Sequence, residues 1–164
     1  MSRIIPFELE TNLKHLVDFL SKDLSADYCV VGSLALNACG FPIGRDPHDI
    51  DIEIVKSDKV KIALETLERS NPVCYNSRYS KVSNRFDFKW CEVEVNAWMV
   101  DKLDRDFVYK NFIKYATVEN VLRYKLRNGR PKDVKDLMNA FSNLSSYILN
   151  KDTEVSKDTE VSKV

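Results

Sequence analysis

From His48 to Val55 the chain reads His-Asp-Ile-Asp-Ile-Glu-Ile-Val, an unbroken alternation of polar and apolar residues. A period of two marks a strand with one buried face. Asp49 and Asp51 therefore leave the same side of one strand, about 7 Å apart at roughly 3.3 Å per residue, while the isoleucines between them turn to the other side. A strand so divided needs a sheet around it and a core beneath it.

The flanking segments supply both. Phe7 to Leu24 places Leu9, Leu13, Leu16, Val17, Phe19 and Leu20 at mostly helical spacing, which predicts an amphipathic first helix. Asp27 to Val31 reads as a short buried strand, Gly32-Ser33 ends it, and Leu34 to Cys39 follows as a helix with Ser33 as its N-cap. After a loop with Gly40, Pro42, Gly44 and Pro47 comes the acidic strand, then a helix over Asp58 to Arg69. Val73 to Tyr79, Val82 to Trp90 and Cys91 to Val100 are β-rich. Thr117 caps a helix over Val118 to Asn128 that Gly129 stops. Pro131 opens a last helix with Val134, Leu137, Met138, Phe141, Leu144 and Ile148 as one apolar stripe. The order α-β-α-β-α-β-β-β-α-α predicts an α+β domain, a mixed β-sheet flanked by helices with two helices at the C-terminal end.

At 164 residues the length suits one domain. Residues 1–150 form it, and 151–164, which repeat Lys-Asp-Thr-Glu-Val-Ser, read as a polar, disordered tail. No apolar run approaches the roughly 20 residues of a membrane span, and the N-terminal residues lack the pattern of a secretory signal, so a cytoplasmic protein without a membrane partner is expected. Cys29, Cys39, Cys74 and Cys91 lie far apart and read as reduced thiols. Two histidines unspaced to cysteine argue against zinc.

The 25 basic residues balance the 25 acidic ones, which argues against indiscriminate nucleic-acid binding. Local balance differs. Phe107 to Lys135 holds eight basic residues and two acidic ones, whereas Arg45 to Glu53 holds four acids and one Arg. An acidic cluster and a basic segment in one domain suit a metal and a polyphosphate; solvated faces are the alternative.

Carboxylates on one strand face suit hard cations such as Mg²⁺, which takes a few carboxylate oxygens together with substrate phosphates. A third acid on a neighbouring strand would complete the site, and Glu94 is the first candidate, with Glu92 and Asp87 behind it. Gly32-Ser33 stands where a strand ends and a helix begins, the place where unpaired N–H groups attract phosphate. Arg130 and Lys132 flank the start of the last helix, free to meet phosphate or to pair with Asp133 and Asp136. His48 reads as structural, and Trp90 and Trp98 as core residues or as stacking platforms for a base.

With Val31-Gly32-Ser33 followed by Asp49-Ile50-Asp51-Ile52, the sequence resembles the DNA-polymerase-β-like nucleotidyltransferase superfamily. It is most similar to the minimal and toxin-type members of the AbiEii kind. Arg45 matches their Arg before the Asp-x-Asp strand, and Lys125 with Arg130-Pro-Lys132-Asp133-Val-Lys-Asp136 matches their late basic and acidic segment. Glu94 stands where the family usually has Asp. The resemblance spans residues 10 to 145 and implies transfer of an NMP from an NTP, ATP foremost, to a hydroxyl acceptor with release of pyrophosphate. It implies Asp49, Asp51 and Glu94 as the catalytic and Mg²⁺- or Mn²⁺-binding acids, and Gly32, Ser33, Arg45, Lys125, Arg130 and Lys132 as the nucleotide-binding residues. The acceptor is a small molecule, a protein or an RNA end. A degenerate relative that binds nucleotide or a partner protein without turnover is the alternative, and a nuclease is disfavoured by the Gly-Ser turn.

Overall fold

A computed structural model of the chain describes residues 7–41, 46–73 and 84–142. Arg45, Cys74 and the repeat at 151–164 lie outside those residues, as does the segment expected to be β-rich up to Tyr79, apart from Val73.

Helix α1 (Phe7–Asp18) runs into a π-helical turn, Phe19–Asp23. Leu9, Leu13, Leu16, Val17 and Leu20 are buried along one side, as their spacing requires. Strand β1 (Tyr28–Val31) is buried throughout and passes directly into α2 (Gly32–Ala38). Strand β2 (Asp49–Val55) alternates burial residue by residue, with Ile50, Ile52 and Ile54 in the core. Helix α3 (Asp58–Ser70) starts where Ser57 Oγ accepts from the Val60 N–H at 3.1 Å. Strands β3 (Arg85–Trp90) and β4 (Val93–Val100) follow, then β5 (Phe107–Lys110), β6 (Ile113–Ala116), α4 (Val118–Asn128) and α5 (Pro131–Ser142). The sheet order is β3-β4-β2-β1-β6-β5, with β2–β4 and β1–β6 parallel and the other pairs antiparallel. This is the expected mixed α+β architecture.

Three expectations need correction. Ser33 is not the N-cap of α2: the cap position falls on Val31 without a side-chain bond, and Ser33 lies inside the first turn. Gly32, at φ +69°, turns the chain from strand to helix in one step and leaves no separate capping residue. The hairpin β5–β6 was not anticipated. Its turn, Asn111-Phe112, adopts left-handed backbone at both positions without a glycine, so the usual hairpin signal is missing.

The third correction concerns α5. Of the residues read as one apolar stripe, Val134 is 45% and Met138 65% exposed and Leu137 is half-buried, while Asp133 and Asp136 are buried at 0% and 2%; Leu144 and Ile148 lie outside the described residues. The cause is Lys125, itself buried on α4, whose Nζ reaches Asp136 Oδ2 at 2.9 Å and Asp133 Oδ1 at 3.3 Å. An unpaired buried ammonium costs several kcal/mol, and turning the two acids of α5 inward removes that cost. Arg130 Nε adds a bond to Asp133 Oδ2 at 2.7 Å, and Ser33 Oγ lies 3.5 Å from Asp136 Oδ2. The network binds α4, α5 and the start of α2 together.

Thr117 Oγ1 accepts from the Asn120 N–H at 3.3 Å, and Gly129 ends α4 at φ +58° with its N–H on the Lys125 carbonyl. Cys29, Cys39 and Cys91 are free thiols, and no helix among the described residues is long and apolar enough to cross a membrane.

Two substitutions test these points. A Cβ added at Gly32 would stand 2.8 Å from Asp51 Oδ2 and 3.3 Å from Asp51 Cβ, whereas one added at Gly129 meets nothing within 4 Å. Gly129→Ala is expected to lose only the left-handed backbone term, about 1–2 kcal/mol, in urea unfolding; Gly32→Ala should lose clearly more, and equal losses would contradict the packing of Asp51 on Gly32. Lys125→Met strips both buried carboxylates of a partner, so a destabilisation of about 3–5 kcal/mol is expected, and a loss below 1 kcal/mol would show the network to be ornamental.

Candidate active site

The parallel pairing of β2 with β4 sets Asp49 beside Glu94 and Asp51 beside Asn96. Neighbours in register share a face, so Asp49, Asp51 and Glu94 all rise from the same side of the sheet. Asn96 Nδ2 donates to Asp51 Oδ1 at 3.1 Å, and the other Asp51 oxygen faces the bare Cα of Gly32. The lack of a side chain at Gly32 is what lets that carboxylate stand against the β1–α2 turn.

Of the other two acid candidates, Glu92 lies in the exposed β3–β4 turn at φ +67°. Asp87 is buried beside Arg85, whose Nε donates to its Oδ2 at 3.1 Å. Asp87 shares the face through its register with Asn96, one strand further out, whereas Glu94 is the acid directly beside the pair on β2. Among the described residues, no three His, Cys, Asp or Glu side chains are already gathered into a metal cage.

The electrostatics of these acids differ from those of an ordinary solvated face. Burial raises the Asp51 carboxyl above the usual carboxylate range; the Asn96 bond and the Lys132 charge oppose the rise, and Asp49 adds to it. Glu94 is raised as well, by burial first and then by the charge of Asp49. Carboxylates crowded so that they repel one another are the kind of group that a hard divalent cation relieves.

Two cavities share the walls Asp51, Trp98, Arg130 and Lys132. The larger, about 210 Å³, reaches Gly32, Ser33 and Lys125 on one side and Glu53, Arg105 and Tyr124 on another. The smaller, about 140 Å³, lies over Asp49, Glu94, Arg85 and Asp87. Asp51 is therefore common to a basic, turn-lined cavity and an acidic one.

The basic segment divides once its partners are known. Lys114 is buried, with its Nζ 3.0 Å from Asp27 Oδ1. Lys125 is committed to Asp133 and Asp136. Arg130, largely exposed, pairs with Asp133 and keeps its guanidinium firmly charged through that hydrogen bond. On Asp133 itself, burial works to raise the carboxyl, but the bonds and charges of Arg130 and Lys125 outweigh it and hold it below the usual range. Lys132 is exposed, lines both cavities and forms no ion pair among the described residues. The structure thus brings together Gly32, Ser33, Asp49, Asp51, Glu94, Arg130 and Lys132, with Lys125 beneath them as a buried counter-charge. Trp98 lines both cavities, whereas Trp90 packs against Phe19 at 5.6 Å between ring centroids.

Arg105 was not singled out from the sequence. It lies between β4 and β5 and forms a two-pronged ion pair with Glu53, Nε to Oε1 at 2.7 Å and Nη2 to Oε2 at 2.9 Å. A lone Arg in a run of charged loop residues gives no local signal of such a contact.

No protein-family model matches the chain, and no curated protein matches it by sequence. Solved structures do match. A Thermotoga maritima protein assigned to the nucleotidyltransferases superposes with a TM-score of 0.55 at 18% identity, over 85% of this chain and 96% of that one. The solution structure of the antibiotic-resistance factor ANT(2'')-Ia gives 0.54 at 9% identity, over 96% and 99% of the two chains. Its crystal structure with adenylyl-2''-tobramycin gives 0.51 at 12% identity, over 87% and 93%. At these identities the likeness is one of fold, and the chain has the α+β fold of the nucleotidyltransferases.

Proposed function

We propose that the protein is a metal-dependent nucleotidyltransferase that moves an NMP from an NTP to a hydroxyl acceptor. The observation that carries this reading is the alignment of Asp49 with Glu94 across β2 and β4, with Asp51 packed on the Gly32 turn between them and the basic start of α5. Carboxylates and the β1–α2 turn meet there at one point.

Asp49, Asp51 and Glu94 would hold Mg²⁺ or Mn²⁺. The bound ion supplies charge neutralisation at the phosphates. The Gly32 and Ser33 backbone N–H groups donate to the β- and γ-phosphates, and Lys132 with Arg130 offsets their charge. Arg45 belongs to the same reading through its place in the sequence motif. Lys125 acts from below, holding Asp133 and Asp136 so that Arg130 and Lys132 stay beside the turn. The acceptor oxygen attacks the α-phosphorus, the bond to the β-phosphate breaks, and pyrophosphate leaves in line. Glu94, the acid in register beside Asp49, takes the hydroxyl proton.

The AbiEii-type pattern of Lys125, Arg130, Lys132, Asp133 and Asp136 supports a toxin-like relative, and hence a protein partner, with ATP as the first donor to try. The adenylylated tobramycin on ANT(2'')-Ia supports a small-molecule acceptor instead. Binding without turnover is the second reading, favoured by Glu94 standing where the resemblance expects Asp.

Incubation with α- and γ-labelled NTPs, Mg²⁺ or Mn²⁺ and cell extract separates the two. Transfer of the α-label with the γ-label released in pyrophosphate is expected, whereas metal-dependent binding with both labels retained on intact NTP would establish the second reading. Asp49→Asn/Asp51→Asn should abolish transfer and the thermal stabilisation by Mg²⁺-NTP while keeping or raising apo stability, because it removes repelling charges; equal ligand shifts in both proteins would contradict the metal site. Because Asp51 and Glu94 are raised, the folded protein takes up protons there before an ordinary carboxylate, near pH 4, would. Mg²⁺ affinity should therefore fall on acidification at a pH above that value, and a decline confined to pH 4 and below would contradict the shift.

A further inference from the structure

The larger cavity changes character along β2. At the Asp51 end it is basic and lined by the Gly32–Ser33 turn. One step further along the same strand face, Glu53 is covered by Arg105, so that end carries one full charge of each sign in contact. Arg105 is fixed on three sides: both Glu53 oxygens accept from it, Asn120 Oδ1 accepts from its Nη1 at 2.7 Å, and its guanidinium carbon lies 5.0 Å from the centroid of the Tyr124 ring. Three of its five N–H groups are committed in this way. Tyr124 remains 40% exposed, so a contact with Arg105 orients the ring without covering it.

A phosphate would find no net positive charge at this end. A flat, uncharged heterocycle would find an aromatic surface held in one orientation, with Trp98 and Val100 on the opposing strand. We infer that the Glu53–Arg105–Tyr124 end of the cavity is a nucleobase subsite, with Tyr124 as the stacking platform and Arg105, locked by Glu53 and Asn120, as the residue that positions it. This inference rests on the proposed binding of an NTP polyphosphate at Gly32–Ser33 and adds where the base goes. Stacking accepts any base through its π-face, so the subsite gives affinity for nucleosides as a class more than discrimination among them.

The test separates base from polyphosphate. Mg²⁺-ATP and Mg²⁺-tripolyphosphate are titrated by calorimetry into the wild type, Tyr124→Ala and Tyr124→Phe. The wild type is expected to bind ATP more tightly than tripolyphosphate. Tyr124→Ala should weaken ATP by about tenfold or more, the range of one lost base stack, and leave tripolyphosphate unchanged, while Tyr124→Phe should keep both. If Tyr124→Ala weakens neither ligand, or weakens both equally, or if Tyr124→Phe loses ATP as Tyr124→Ala does, the subsite assignment falls and the polyphosphate site stands. If the wild type binds ATP but not tripolyphosphate, the polyphosphate site fails while the loss in Tyr124→Ala still decides the subsite. If it binds neither, both fall.

Discussion

The arrangement of the site depends on one buried side chain, the ammonium of Lys125. Lys125 lies in the interior with Asp133 and Asp136 on α5 turned in to meet it. Ion pairs at this depth rarely stabilise a fold more than apolar residues of the same size would, because both partners lose their hydration. What they enforce is specificity: once Lys125 is inside, α5 has one rotation that satisfies it. That rotation carries Arg130 and Lys132 to the rim beside Asp51, and it leaves Val134 and Met138 facing water. Over the described part of α5, the buried charges set which side faces inward.

The second constraint is spatial. The core face of β2 is isoleucine and the other face is acid, and a parallel neighbour in register adds Glu94 beside Asp49. Gly32 brings the β1–α2 turn within contact distance of Asp51 because it has no Cβ and tolerates a left-handed backbone. These two features bring an acidic strand and the β1–α2 turn together, and the fold shared with ANT(2'')-Ia and the Thermotoga maritima protein supplies the frame for them.

Much of this was legible in the sequence because the signals are local. The alternation at His48 to Val55, the caps Thr117 and Gly129, and the helical spacing of α1 each depend on residues a few positions apart. Glu94 could be chosen over Asp87 on its alternating strand, although its register with Asp49 is a property of the sheet. The misses are non-local. The inward turn of Asp133 and Asp136 needs Lys125 from another helix, and the fork of Arg105 on Glu53 joins residues 52 positions apart. The β5–β6 hairpin has strands of four residues and a turn in left-handed backbone without glycine, so its type could be seen only once β6 had paired with β1. The basic segment misled for the same reason: Lys114 and Lys125 are bound to acids that the sequence places 87 and 8 to 11 positions away.

In the proposed reading, Asp49 and Asp51 hold a divalent cation against a triphosphate seated on the Gly32–Ser33 turn. Crystals grown with Mn²⁺ and a non-hydrolysable NTP analogue test it directly through the anomalous scattering of the metal. The expected result is an anomalous peak bound by oxygens of both aspartates, with the triphosphate on the turn and Lys132 beside it. A manganese peak away from this strand face, or a triphosphate bound elsewhere while the Asp49 and Asp51 carboxylates stay without metal, would contradict it.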